Sequence, residues 1–380
     1  MRGRIDEQPP LFHVFSVEDR IRPDHPLRDV KRRVDAILVA MDAQFTAAYP
    51  RTGRPSVPPE RLLKALLLMA LYSIRSERQL CERIDTDLLF RWFLDLQPSE
   101  EAFDPSTFSQ NRDRLEEYRL TRAFFDAVVG RAVTHGLCRE HFSVDGTRIE
   151  SFAAAKSFRP KGEPNDRGDA NGFQPRNPEV DFRGEKRSNE THASRTDPEA
   201  RLYRKGAGQE GKLSHMGHLL AENRHGRIVG VGVSEANGTA EREEALTMLT
   251  RAKRRHKRRP KTLGADKGYD AGGFFRKRER RKVTPHVPIV KPPRDPKAVP
   301  QKDQVPDIRA RRRMQARLGT TGYELSPRCR KKIEEGIGWI KTVAGLARSR
   351  WVGRWKLRQM VELAAAAYNL VRMRKRVPAG

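Results

Sequence analysis

Between Pro58 and Leu96 apolar residues return every three to four positions. In ERLLKALLLMALYSIRSERQL, Leu62, Leu66, Met69 and Ile74 recur at helical spacing behind Pro58 and Pro59. The pattern predicts a buried helix, a second from about Ser76, and a close at DLLFRWFLDL. DPSTFSQNRDRLEEY then starts a helix near Pro105 and Ser106 and carries Arg112 and Arg114, with Arg119 just after it. Short helices ending in an Arg-bearing one over 76–119 fit a helix-turn-helix that reads the major groove, and they fit a plain helical bundle as well. Residues 1–135 are therefore expected to form an all-α domain, with Arg112 and Arg114 as its candidate DNA contacts.

After Gly136 the period shortens to two. HFSVDGTRIES sets Phe142 and Val144 on one face and Ser143 and Asp145 on the other, the mark of a strand. KLSHMGHLLAENRHGRIVGVGVSEANGT holds two apolar runs around Asn223–Gly226, so it predicts a hairpin. A helix follows from Thr239, with Glu241, Glu243 and Glu244 suiting its positive end and RAKRRHKRRP its negative end. TLGADKGYD is a strand meeting a Gly-rich turn, GGFFRKRERRK a basic helix, and VTPHVPIV another strand. Helices through RCRKKIEEGIGWIKT and RWKLRQMVELAAAAYNLVRMRKR close the chain. Two stretches lack any apolar repeat: a polar insertion at about 153–200 and a Pro- and Lys-rich linker at about 292–322. Residues 138–376 are thus expected to be an α/β domain, a mixed sheet flanked by helices.

Charge narrows the partners. Lys and Arg number 77 against 49 Asp and Glu in 380 residues, a net charge of +28 that favours polyanions: DNA, RNA or an anionic membrane. The longest apolar run, Ala65 to Tyr72, is far short of the roughly 20 residues a spanning helix needs. The N-terminal stretch has no uninterrupted apolar core, so no signal peptide is expected. Cys81, Cys138 and Cys329 lie far apart with no C-x-x-C pair, which excludes a zinc ribbon and suits a reducing cytoplasm. His215 and His218 are an odd number apart on a strand, so they would not chelate one ion. Nucleic acid remains.

Three carboxylates stand out. Asp145 precedes Gly146 at a strand end, Asp266 precedes Lys267-Gly268 at another, and Glu334 lies on a C-terminal helix. Neighbouring strand ends put side chains into one crevice, and a helix laid across can add a third acid. Hard carboxylate oxygens suit Mg2+ or Mn2+, and two such ions are what phosphodiester chemistry uses. Singly, each aspartate explains itself as the start of a turn. Arg330 and Glu334 likewise make an ordinary surface pair one turn apart. Placed together, the acids point to metal-dependent phosphoryl transfer, with Lys267, Arg330 and Lys341 reaching phosphates. Glu335 points about 100° away from Glu334, so only one of the two shares that face.

These residues resemble the bacterial DDE transposases of the insertion-sequence-five type. The likeness runs through LLKALLLMALYSIRSERQL, VDGTRIES, AAAKSF, GEKRSNETHASRTDPEARLYRKG and GADKGYD to the final helix. It implies a ribonuclease-H-like catalytic core and the acids Asp145, Asp266 and Glu334 as both catalytic and metal-binding residues. It implies two divalent ions, terminal inverted repeats as substrate, and a dimer or higher assembly on double-stranded DNA. The family's closing signature is Tyr, two residues, Arg, three residues, Glu, six residues, Lys; Arg330, Glu334 and Lys341 fit it, and Pro327 stands in the tyrosine's place. Two other readings remain: a non-catalytic DNA-binding regulator derived from a transposase, and a nuclease that cuts without joining.

Overall fold

The computed structural model describes residues 16–49, 52, 56–161, 188–204, 206, 209–289 and 305–374. Its first part is helical: α1 (Val17–Arg20), α2 (Pro26–Ala40), α3 (Asp42–Ala48), α4 (Pro59–Leu71), α5 (Glu77–Thr86), α6 (Leu88–Phe93), α7 (Pro105–Glu117) and α8 (Leu120–Thr134). Proline opens α2, α4 and α7, where its missing N–H would have been unpaired in any case. The Ser76 hydroxyl caps α5 at the Gln79 N–H, and the Asp104 carboxylate caps α7 at Ser106 and Thr107. Helix α4 is buried throughout from Leu62 to Ala70; even Lys64 is covered, its ammonium paired with Asp35 and Asp95.

A mixed sheet follows. Its strands are β1 (His141–Glu150), β4 (Arg201–Tyr203), β5 (Lys212–Glu222), β6 (Ile228–Glu235), β7 (Thr262–Gly264) and β8 (Thr284–His286). One edge of β5 takes β4 and then β6, both antiparallel, while its other edge takes β1. Gly226, at φ +68°, turns the β5–β6 hairpin in the left-handed region that favours glycine. Beyond β1 the sheet becomes parallel, through β7 to β8. Parallel neighbours need crossovers; α9 (Ala240–His256) leads into β7, and α10 (Gly272–Glu279) joins β7 to β8. Thr239 flanks α9 as expected, but the capping oxygen is that of Asn237, which accepts from the N–H groups of Thr239 and Ala240.

Three helices close the chain: α11 (Val305–Gln315), α12 (Thr321–Thr342) and α13 (Arg354–Arg374). Residues 360–370 of α13 are all buried, and this helix packs on α4 and α8 on one side and on β6 on the other. Asn369 clasps Ile228 at the start of β6, accepting from its N–H at 2.9 Å and donating to its carbonyl at 2.7 Å. One continuous apolar core therefore joins the helical part to the sheet.

Two expectations need revision. The linker expected at 292–322 is helical over Val305–Gln315, and α12 has begun by Thr321; residues 292–304 lie outside the described residues. Its heavy charge hid an apolar seat one turn long, Ala310 and Met314, while Arg311–Asp270 and Arg313–Glu279 pairs bind it to the segment that follows β7. The insertion expected at 153–200 lies outside the described residues over 162–187; the remainder is fastened to the sheet. There β2 (Phe158–Pro160) pairs with β3 (His192–Ser194), and Ala153, Phe158, Ala200 and Leu213 form a small second core. Asp197, fully buried, accepts from the Ser151 hydroxyl at 2.6 Å and lies 2.8 Å from His215 Nε2.

Candidate active site

Strands β1 and β7 run side by side, Ser143 opposite Gly264. Two residues further along each chain stands an aspartate: Asp145, still within β1, and Asp266, just past β7. Asp145 accepts from the Gly146 N–H at 2.9 Å; Asp266 accepts from the Gly268 N–H, also at 2.9 Å, and so caps the short 3-10 turn Lys267–Tyr269. Helix α12 lies against β1, β5 and β7. It comes close because position 264 has no side chain: a Cβ there would sit 2.8 Å from Ser326 Oγ and 3.0 Å from Ser143 Oγ. Eight residues beyond Ser326, about 12 Å along the helix, is Glu334.

Between α12 and the end of β7 opens a cleft of about 430 Å³, lined among others by Asp266, Lys267, Tyr323, Arg330 and Glu334. Arg330 donates to Glu334 Oε1 at 3.2 Å, and the Glu334 side chain is 52% exposed at the cleft's lip. Glu335 points elsewhere and pairs with Arg372 of α13. Tyr323 donates its hydroxyl to the Val287 carbonyl. Pro327, in the place of the family tyrosine, also borders the cleft.

The acids feel one another. Burial pushes the Asp145 carboxyl up to about 6; Arg330 and the Gly146 N–H oppose the rise, and Asp266 and Glu334 add to it. Carboxylate oxygens are the donors that a hard divalent cation takes, and such an ion relieves the repulsion between neighbouring acids. Among the described residues, however, no three His, Cys, Asp or Glu side chains stand close enough together to hold one ion as they are. The expected acids share an electrostatic field, and Glu334 rests paired with Arg330.

The expected DNA contacts divide. Lys267 is exposed at the cleft beside Arg330. Lys341 lines a separate pocket of about 250 Å³ with Gly146, Thr147 and Glu241. Arg112 is turned inward, 5% exposed, paired with Glu77 and Asp113, and serves to tie α7 to α5. Arg114 is half-buried with its guanidinium 5.2 Å from the centre of the Tyr49 ring. Of the histidines set aside for metal, His215 and His218 are wholly buried, with Asp197 and Ser234 as partners.

Two residues beside the acids escaped the sequence reading. Glu241, in the first turn of α9, rests on Gly146: a Cβ on that glycine would lie 2.5 Å from Glu241 Oε1. Burial, then Asp266 and Asp145, push its carboxyl up to about 7. Tyr269 is fully buried, and its hydroxyl has no hydrogen-bond partner among the described residues. Periodicity gave no signal for either, because an acid in a helix's first turn already has a local explanation.

Residues 180–370 match the family described as Transposase DDE domain, and residues 15–114 the one described as Transposase domain (DUF772). The chain belongs to the DDE transposase family, and its sheet and flanking helices are the ribonuclease-H-like architecture expected of it. Asp266 and Glu334 fall within the first match; Asp145 lies outside both. No curated protein and no solved structure matches the chain. Membership makes this a DNA-acting protein of a family that uses divalent metal ions. Among the described residues no helix is long and apolar enough to cross a membrane.

Proposed function

We propose that the protein is the transposase of an insertion sequence, binding the element's terminal inverted repeats and catalysing their cleavage and strand transfer. One observation carries the reading: matching aspartates on adjacent parallel strands, with α12 laid against those strands and Glu334 lining one cleft with Asp266. Asp145, Asp266 and Glu334 would hold the divalent ions, Mg2+ or Mn2+. When bound, two such ions activate the attacking oxygen and neutralise the leaving one.

The chain's own residues do the rest. Lys267 and Arg330 face the cleft and offer positive charge to the phosphates on either side of the scissile bond. Arg330 also holds Glu334 in readiness, so a phosphate that draws Arg330 away frees the carboxylate for the ion. Water attacks the phosphodiester at the element end, leaving a 3′-hydroxyl. That hydroxyl then attacks a target phosphodiester, one P–O bond forming as another breaks. Two ends must be joined to one target, which calls for a dimer or higher assembly on the DNA.

A product assay tests this reading. Full-length protein, Mg2+ and DNA carrying labelled element ends should give 3′-end nicks and then joined strands. Binding without nicking would identify a regulator, and nicking without joining a nuclease.

A further inference from the structure

We propose that a second cavity, on the other flank of α12 from the catalytic cleft, holds the backbone of the element-end DNA beside the scissile bond. The inference rests on the transposase reading and extends it to a surface away from the acids. This cavity measures about 980 Å³, against about 430 Å³ for the catalytic cleft, and opens where β1 and β7 begin. Leu325, Cys329 and Lys332 line it from one face of α12. Arg330 and Glu334 line the catalytic cleft from roughly the opposite face, as a turn of about 100° per residue requires.

Four segments remote in the chain bring cations to this wall. Arg139 lies just before β1, Arg224 in the β5–β6 turn, Arg258 just after α9, and Lys332 on α12. The sheet's register gathers them: Phe142 pairs with Glu222 and His141 with Thr262, so the hairpin turn and the approach to β7 flank the start of β1. Lys257, at φ +53°, ends α9 and turns the chain back toward β7 with Arg258 against the cavity. Lys332 donates to the Arg224 carbonyl and so holds the hairpin turn to α12.

A solvated face of mixed charge does not account for this wall, because its two carboxylates are already engaged. Glu222 is fully buried and accepts from the N–H groups of Arg224 and His225, each at 2.7 Å; Glu140 pairs with Lys261 at 2.5 Å. Among the described residues, Arg139, Arg224 and Arg258 form no ion pair. Like charges lining a concavity strengthen its positive potential, and a chain of phosphates meets several separate cations at once. Thr320 and Gly322 line the same cavity, so the positive end of the 22-residue α12 opens there too.

Element-end DNA is the occupant because the two cavities adjoin: Ser326 and His286 line both. A strand whose scissile phosphate lies at Lys267 and Arg330 continues past the start of α12 into the second cavity.

The test compares two full-length variants that lose equal charge. One carries Arg139→Gln, Arg224→Gln and Arg258→Gln. The other carries Lys277→Gln, Arg280→Gln and Lys282→Gln, exposed cations that line neither cavity. Fluorescence anisotropy with labelled element-end DNA should show the slope of log K against log salt falling by about 0.9 for each cavity arginine lost, with the control keeping the parent's slope. In Mg2+-dependent cleavage the cavity variant should raise KM about tenfold or more and leave kcat near the parent's. A cavity variant that binds and cleaves as the parent does refutes the inference and leaves the transposase reading standing. A parent that neither binds nor cleaves element ends removes that reading and the inference with it. Equal losses in the two variants assign the effect to diffuse charge and refute the cavity. Normal cleavage with slowed joining gives the cavity to target DNA and overturns the occupant. Should the triple variant not fold, Arg224→Gln alone, at an exposed turn, should lower the slope by about one; an unchanged slope refutes the proposal.

Discussion

Asp145 and Glu241 hold their carboxyls at about 6 and about 7, against ordinary values of 3.8 and 4.5. The folded chain therefore binds these protons more tightly than the unfolded chain does. The stability this confers is fully present below about pH 4 and is lost as pH rises through 6 and 7. Asp145→Asn should accordingly raise the melting temperature of the metal-free protein at pH 8 and change it little at pH 4. Equal melting temperatures for the two proteins at pH 8 would show that Asp145 is not strained in the bare site. At this scale the sequence singled out Asp145 and Asp266 by their places at strand ends and Glu334 by its place on a helix, and the structure sets the two aspartates at matching points of neighbouring strands. The sequence could not disclose Glu241, since the contact with Gly146 joins residues that only the sheet brings together. Arg112 misled for the converse reason: Glu77, its partner, lies on a different helix.

Among the elements, the seat of α12 decides whether Glu334 can reach the aspartates. Gly264→Ala would press on both Ser326 and Ser143, an overpacking that costs about 1–3 kcal/mol. Its melting temperature should fall by a few degrees, and cleavage should fall further than that loss explains, because α12 moves outward. Arg112→Ala takes the guanidinium from the largely covered Glu77, which keeps only the Ser109 hydroxyl, while the partly exposed Asp113 keeps Lys356; removing one partner of a buried pair costs about 3–5 kcal/mol, and the loss here falls at the low end. Urea denaturation should show that loss, with DNA affinity of the folded variant unchanged. Lost affinity with unchanged stability would return Arg112 to the DNA. The strands, the hairpin, α9 and α10 were legible because their apolar periods are regular. Helix α11 was not, since only Ala310 and Met314 are buried along it and prolines and lysines precede it.

For the molecule as a whole, a charge of +28 makes release of counterions from DNA a large part of binding. Six or more neutralised phosphates would weaken binding about a thousandfold between 50 and 200 mM salt. Fluorescence anisotropy across that range should show it, and a flat profile would mean that the cations do not engage the backbone. The mixed α/β sheet flanked by helices was readable from element order, and its ribonuclease-H-like form from the family resemblance. The shared core was not, because α13 looks like any apolar helix until α8 and β6 are seen on either side of it.

The most direct measurement is Mg2+-dependent cleavage of labelled terminal-repeat DNA by Asp145→Asn, Asp266→Asn, Glu334→Gln and Glu335→Gln variants. The first three should each lose about a thousandfold or more in rate while still binding DNA. Glu335→Gln, which forfeits only a surface pair with Arg372, should cut nearly as fast as the parent. Normal cutting by Glu334→Gln, with Glu335→Gln inactive, would contradict the placement of the third acid and the account built on it.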